Sequence, residues 1–239
     1  MPLPVYLAMT ALEIATDPLP ENLAYMACHF SSYGCGVVDF PAQLPPDSLL
    51  ILNDRIPVWQ HDPSLVARQL GEAAERLGCC GVVLDFQRPD NPQAAAIARQ
   101  IAQALPCPVA VSENYAQELG CAVFLSAPRP SRRLERHMAP WAGREIWLEG
   151  ALESEQITLT AEGSSAKPIP FTMPLESSHR DLGLCCTYHI EVTEQAAVFT
   201  ITRAEEDLRA LAGQAEQLGI TRMIGLYQQL GANNKNPAD

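Results

Sequence analysis

The sequence predicts an α/β chain, read as a (β/α)8, TIM-like barrel with a small insertion after the seventh strand. Three observations carry this reading. Short apolar runs alternate with amphipathic stretches at helical spacing, and strand–helix–strand order with short connections implies parallel strands. Two helical stretches open on the same device, a capping side chain followed by proline: Asp62-Pro63 and Asn91-Pro92. The chain has 239 residues, 47% of them hydrophobic and 18% charged, which suits a single barrel of roughly 250 residues. An open doubly wound sheet satisfies the same alternation, but no G-x-G-x-x-G or phosphate-binding loop marks a nucleotide crevice.

The elements follow in order. The opening MPLPVYLAMTALEIA lacks a basic leader region and is interrupted by Pro2, Pro4 and Glu13. No apolar stretch reaches the roughly 20 residues that span a bilayer, so this segment is read as the first strand of a cytoplasmic protein without membrane contact. Residues 23–38 supply the second strand and its turn, and SLLILND, 48–54, the third. Val66, Leu70, Ala73 and Leu77 then line a helix that Gly78 closes. GVVLDF (81–86), PVAVS (108–112), AVFLSA (122–127) and EIWLEG (145–150) read as strands four to seven, with helices at Ile97–Leu105 and Arg133–Trp141 between them.

Residues 151–183 break the rhythm with QITLT and a proline-rich stretch, an expected insertion within one domain spanning 1–231. CCTYHIEV and AVFTIT read as two strands, and Thr202 with Glu205 as a capping box. Leu208, Leu211, Ala215 and Leu218 line a helix ended by Gly219, TRMIGLYQQL (221–230) is the last strand, and 232–239 form a polar tail. In a closed barrel the first and last strands are neighbours.

The formal charge of −12 repels phosphate backbones, and no run of Lys or Arg is read as reversing it, so nucleic acid is not an expected partner. Eight cysteines lie mostly in apolar runs of a chain too large to need staples, so free thiols are expected. Neither the Cys79-Cys80 and Cys185-Cys186 pairs nor the scattered histidines have metal-ligand spacing; no metal or cofactor is expected.

One block is motif-like. ERLGCCGVVLDFQRP, residues 75–89, resembles the fourth-strand signature of glycoside hydrolase family 18, D-G-x-D-x-D-x-E. Asp85 matches the last aspartate and Gln87 falls on the glutamate, while Cys80 and Val83 replace the two earlier polar positions. Residues 186–231 are similar to the family's C-terminal segment, with Tyr227 where a substrate-stacking tryptophan is usual. The fifth- and sixth-strand units fit in order, and the pattern is nearer the shorter spore-cortex enzymes than the large chitinases.

The resemblance implies a mechanism. The family's glutamate protonates the glycosidic oxygen, the substrate's own N-acetyl oxygen attacks, and the neighbouring aspartate orients that acetamide. A glutamine amide can hydrogen-bond there but transfers no proton. The sixth strand's usual Met-x-Tyr-Asp element is replaced by Leu125-Ser126-Ala127-Pro128. The expectation is therefore an inactive barrel that binds a glycan, such as a cell-wall-derived oligosaccharide, or a protein partner. Two alternatives stand beside it: an active glycosidase on N-acetylated or cell-wall sugars using Asp85 or Glu113 as acid, and a structural barrel without ligand. The candidate binding residues are Asp85, Gln87, Tyr227, Glu113, Trp59 and Glu13. Asp54 and Glu149, with Arg55 and Arg88, also fall at or just past strand ends.

Overall fold

The structure is a computed structural model that describes residues 2–56 and 61–231. The chain forms two compact units. The first comprises Pro4–Ser126, Gly143–Glu149 and the residues from Thr221 onward; the second comprises Ala127–Ala142 and Gly150–Ile220, with the residues before Pro4.

In chain order the first unit holds β1 (Val5–Met9), α1 (Ala11–Thr16), β2 (Leu23–Phe30), β3 (Val37–Val38), β4 (Leu49–Asn53), α2 (Pro63–Leu77), β5 (Gly81–Asp85), α3 (Pro92–Ala104), β6 (Val109–Ser112), α4 (Glu113–Ala116) and β7 (Ala122–Leu125). After α5 (Leu134–Met138) comes β8 (Ile146–Gly150). The second unit continues with β9 (Glu153–Thr160), β10 (Gly163–Ile169), β11 (His179–Asp181), β12 (Cys186–Val192), β13 (Ala196–Arg203) and α6 (Glu205–Gln217). Strand β14 (Arg222–Leu226) and α7 (Tyr227–Leu230) then return to the first unit.

Eight parallel strands close into a ring in the order β1-β2-β4-β5-β6-β7-β8-β14. Closure is direct: β1 pairs with β14 through Val5↔Met223 and with β2 through Leu7↔Leu23. The ring has no free edge strand, and the neighbouring first and last strands are those expected. The caps also stand where the sequence put them. The Asp62 carboxylate accepts from Ser64 N at 2.9 Å, and the Asn91 side chain accepts from Gln93 N at 3.0 Å and Ala94 N at 3.2 Å. Gly78 ends α2 in the left-handed region at φ 65°.

Alternate residues of each strand fill the ring. At the N-terminal ends of the strands Trp147 is fully buried beside Tyr6 and Leu49. Arg222 lies over the Trp147 ring at 4.2 Å from its centroid. Gly81 makes this packing possible: a Cβ there would lie 2.7 Å from Trp147 Cη2 and 2.8 Å from Arg222 Nη1.

The second unit is a five-stranded antiparallel sheet in the order β10-β9-β13-β12-β11, together with α6. The interruption of the barrel rhythm is therefore longer than 151–183; the sheet runs from Glu153 to Arg203. Strands β12 and β13 belong to it because β13 pairs with β9 from Ala196↔Thr160 to Arg203↔Glu153. Thr202 is not a helix cap. Its hydroxyl meets Ser154 Oγ at 3.0 Å and donates to Thr172 O at 3.1 Å, while the Asp207 carboxylate accepts from Ala204 N at 3.1 Å at the start of α6. The buried Arg203 guanidinium donates to the carbonyls of Cys185 (3.2 Å), Leu184 (3.3 Å) and Pro128, tying three segments of this unit together. The last strand is also shorter than expected: it stops at Leu226, and Tyr227–Leu230 is a helical turn.

All eight cysteines are free thiols. Among the described residues no helix is long and apolar enough to cross a membrane, and no group of three or more His, Cys, Asp or Glu side chains could hold a metal.

Candidate functional site

Parallel barrels present their functional groups at the C-terminal strand ends. On β4 the alternate positions run Leu49, Ile51, Asn53, and on β5 Gly81, Val83, Asp85, so the apolar interior gives way to polar groups at the last position of each. A cavity of about 140 Å³ opens there, lined by Asn53, Arg55, Asp85 and Glu149 together with Met26, Phe124 and Leu226. Pockets that enclose small ligands usually measure about 300 Å³ or more. The cavity is under half that, because Met26, Phe124 and Leu226 occupy space between the strands.

The loop after β5 is fixed from both sides. Asp54, 4% exposed, accepts from Gln87 N at 3.1 Å and from Arg88 N at 3.0 Å. Ser112 Oγ donates to Phe86 O at 2.8 Å and accepts from Phe86 N at 3.2 Å. Asn114 donates to the carbonyls of Phe86 and Gln87, both at 3.3 Å, and the Tyr115 hydroxyl to that of Arg88. Backbone N–H and C=O groups that turn inward need such partners, and here side chains of the two flanking segments supply them. Asn53 holds the neighbouring strand end: it donates to Met26 O (3.3 Å) and Cys28 O (3.2 Å) and accepts from Arg55 N (3.1 Å).

Within this frame the Gln87 amide donates to Asp85 Oδ1. Burial raises the Asp85 carboxyl above its ordinary range; the Gln87 hydrogen bond opposes this, and the nearby Asp54 charge adds to it. The arrangement offers a hydrogen-bonding carboxyl–amide pair beside a small, partly apolar cavity.

The other candidates are dispersed. Glu113 opens α4 and accepts from the Ser126 hydroxyl at the end of β7; it does not line the cavity. Glu13 is occupied in a capping box with Thr10, whose N–H and hydroxyl it accepts, the hydroxyl at 2.8 Å. Burial would raise the Glu13 carboxyl, but Thr10 and the Gln228 side chain outweigh it and hold it below the usual range. Tyr227 opens α7, half-buried and outside the cavity lining. Trp59 lies outside the described residues. Asp54 is a backbone clamp rather than a mouth carboxylate. Asn53 and Phe124 went unremarked in the sequence, although the period-two spacing of Asn53 with Ile51 and Leu49 places it on the inward face.

Sequence comparison finds no matching family model and no matching curated protein. Solved structures do match. The spore cortex-lytic enzyme SleL of Bacillus cereus superposes with a TM-score of 0.55 at 10% identity, over 93% of this chain and 70% of that one. A chitinase of Chromobacterium violaceum gives 0.55 at 8% identity, over 95% of each chain. A doubly substituted GH18 chitinase of Cycas revoluta, in complex with (GlcNAc)4, gives 0.56 at 11% identity, over 94% of this chain and 95% of that one. The fold is a closed TIM-like barrel similar to those of these chitinases and of SleL. In this barrel, residues 75–89 form the end of α2, strand β5 and the start of the fixed loop, the strand–loop placement that the motif resemblance implied.

Proposed function

We propose that this family-18-like barrel binds an N-acetylated glycan across its mouth and does not hydrolyse it. One observation carries the reading: the side chain held two residues beyond Asp85, on a loop fixed by Asp54, Ser112, Asn114 and Tyr115, is the amide of Gln87. An amide has no acidic proton to give a leaving oxygen, and positioned acid catalysis contributes roughly 10²–10⁴-fold. The small cavity favours a ligand lying over the rim of Asn53, Arg55, Asp85 and Glu149. The Cycas revoluta chitinase, which holds (GlcNAc)4, supports a glycan as the kind of ligand.

A second reading rests on Asp85. A carboxyl raised by burial, with Glu149 on the same cavity, is the kind of group that can act as an acid. Hydrolysis of a fluorogenic N-acetylglucosamine oligomer, by the natural protein and by Gln87→Glu, separates the two. The first reading expects no turnover by the natural protein and calorimetric binding of chitooligosaccharides that Asp85→Ala abolishes. Turnover by the natural protein that Asp85→Asn removes would establish the second. Gln87→Glu alone is expected to stay inactive, because Leu125-Ser126-Ala127-Pro128 offers no tyrosine or aspartate to hold the acetamide, and misplacement by about 1 Å can cost 10²-fold.

A further inference from the structure

Positive charge is scarce in this chain and unevenly placed. Four of its 16 Lys and Arg residues, Arg129, Arg132, Arg133 and Arg136, fall between positions 129 and 136. All four line one groove of the second unit, with a volume of about 720 Å³, together with Ser131 and Glu155. A turn closed by Arg132 N donating to Arg129 O at 2.8 Å folds the segment back on itself.

The groove has one carboxylate at its base, and that carboxylate is already matched. Glu155, 2% exposed, accepts from Ser131 Oγ at 2.5 Å and from Arg129 Nη1 at 3.4 Å. Arg132, Arg133 and Arg136 are exposed, and among the described residues none of them has an ion-pair partner. Three guanidinium groups thus line one groove without an ion pair within 4.0 Å among the described residues, in a protein whose formal charge is −12.

We infer that this groove is an anion site for a compact ligand carrying two or more adjacent phosphate groups, held by Arg132, Arg133 and Arg136. The basic residues are all arginine, whose planar fork meets phosphate oxygens in pairs. Density of charge selects phosphate over an acidic peptide. In an extended peptide, side chains on one side recur only every second residue, about 6.6 Å apart, whereas adjacent phosphates share an oxygen. The acidic remainder of the chain selects a compact ligand over a long polyanion: at physiological salt screening acts over about 8 Å, so a short ligand feels mainly the arginines while a long one also meets the acidic surface.

The test is calorimetric titration of the full chain with tripolyphosphate in 150 mM NaCl, beside hexaglutamate and double-stranded DNA. Tripolyphosphate should bind, and the Arg132→Ala/Arg133→Ala/Arg136→Ala protein should bind it at least tenfold more weakly while keeping the natural circular dichroism spectrum. Should the triple variant misfold, Arg136→Ala alone should weaken binding at least threefold. Absence of tripolyphosphate binding at millimolar concentration, equal binding by the folded variants, or tighter binding of hexaglutamate or DNA would overturn the inference. Every arm reads this groove alone, independently of glycan binding at the barrel mouth.

Discussion

Each end of the barrel holds a charged side chain among apolar strands, and the two ends handle that charge differently. At the N-terminal ends of the strands the Arg222 guanidinium lies over the Trp147 ring at 4.2 Å and 5.8 Å from the Tyr6 ring centroid, and donates to Cys80 O at 3.5 Å. Burial, reinforced by the Cys80 thiol, pushes the Tyr6 hydroxyl up to about 12, so it stays neutral beside the cation. The space that a side chain at Gly81 would take is filled by Trp147 and Arg222. At the other end Asp85 has an amide partner, yet it borders a cavity shared with Asn53, Arg55 and Glu149. The floor uses its charge in packing. The mouth keeps polar groups beside open volume, and that is the end where a ligand is sought.

The largest effect should come from the floor. Trp147→Ala removes a fully buried ring and the surface on which Arg222 rests; the expected loss is about 3–5 kcal/mol by urea denaturation. A loss below 1 kcal/mol would mean that the floor is not close-packed. At the mouth, Asp54→Ala leaves the Gln87 and Arg88 N–H groups without their acceptor, at about 1–3 kcal/mol for each unpaired group. Amide exchange at those two positions should quicken by more than at Val83, and uniform quickening would show that the clamp is not local. Gly81→Ala forces a methyl against Trp147 and Arg222, with an expected cost of about 1–3 kcal/mol.

The smallest effect should change sign from those. Because the folded Asp85 pKa is raised, the folded state binds more protons than the unfolded one between the unfolded and folded pKa values. Stability contributed by this group therefore falls as pH rises through that window, and its penalty is fully present above the folded pKa. Asp85→Asn should thus raise the Tm at pH 7, and the gain should vanish below the ordinary aspartate range. A lower Tm at pH 7 would mean that the ionised carboxylate is stabilising, and the contrast between the two ends would weaken.

Much of the barrel was legible because its signals are local. Asp62-Pro63, Asn91-Pro92 and Gly78 announce helix ends within a few residues, and runs such as LLILN and GVVLD leave little but buried strands. The extent of the second sheet was not legible, because β13 finds its partner β9 some forty residues earlier, and nothing near Ala196–Arg203 distinguishes that pairing from a barrel strand. Asp85 and Gln87 were singled out by the resemblance of residues 75–89 to a strand signature, and their two-residue spacing puts both on one side of the chain. Glu13 misled because a carboxylate just past a strand end reads alike whether it faces a ligand or caps the next helix. The arginine cluster at 129–136 was hidden by the net charge, which averages over the chain what the fold concentrates in one groove.

Gly81 bears on how catalytic signatures are read. It is the one early letter of the family-18 motif that this chain shares, and its neighbours here are an indole and a guanidinium at the far end of the strand from Asp85. A glycine demanded by the bulk of Trp147 would persist in a barrel that had lost every proton donor. Agreement at that letter therefore measures the floor of the fold, and only the letters at the opposite end of β5 speak to chemistry.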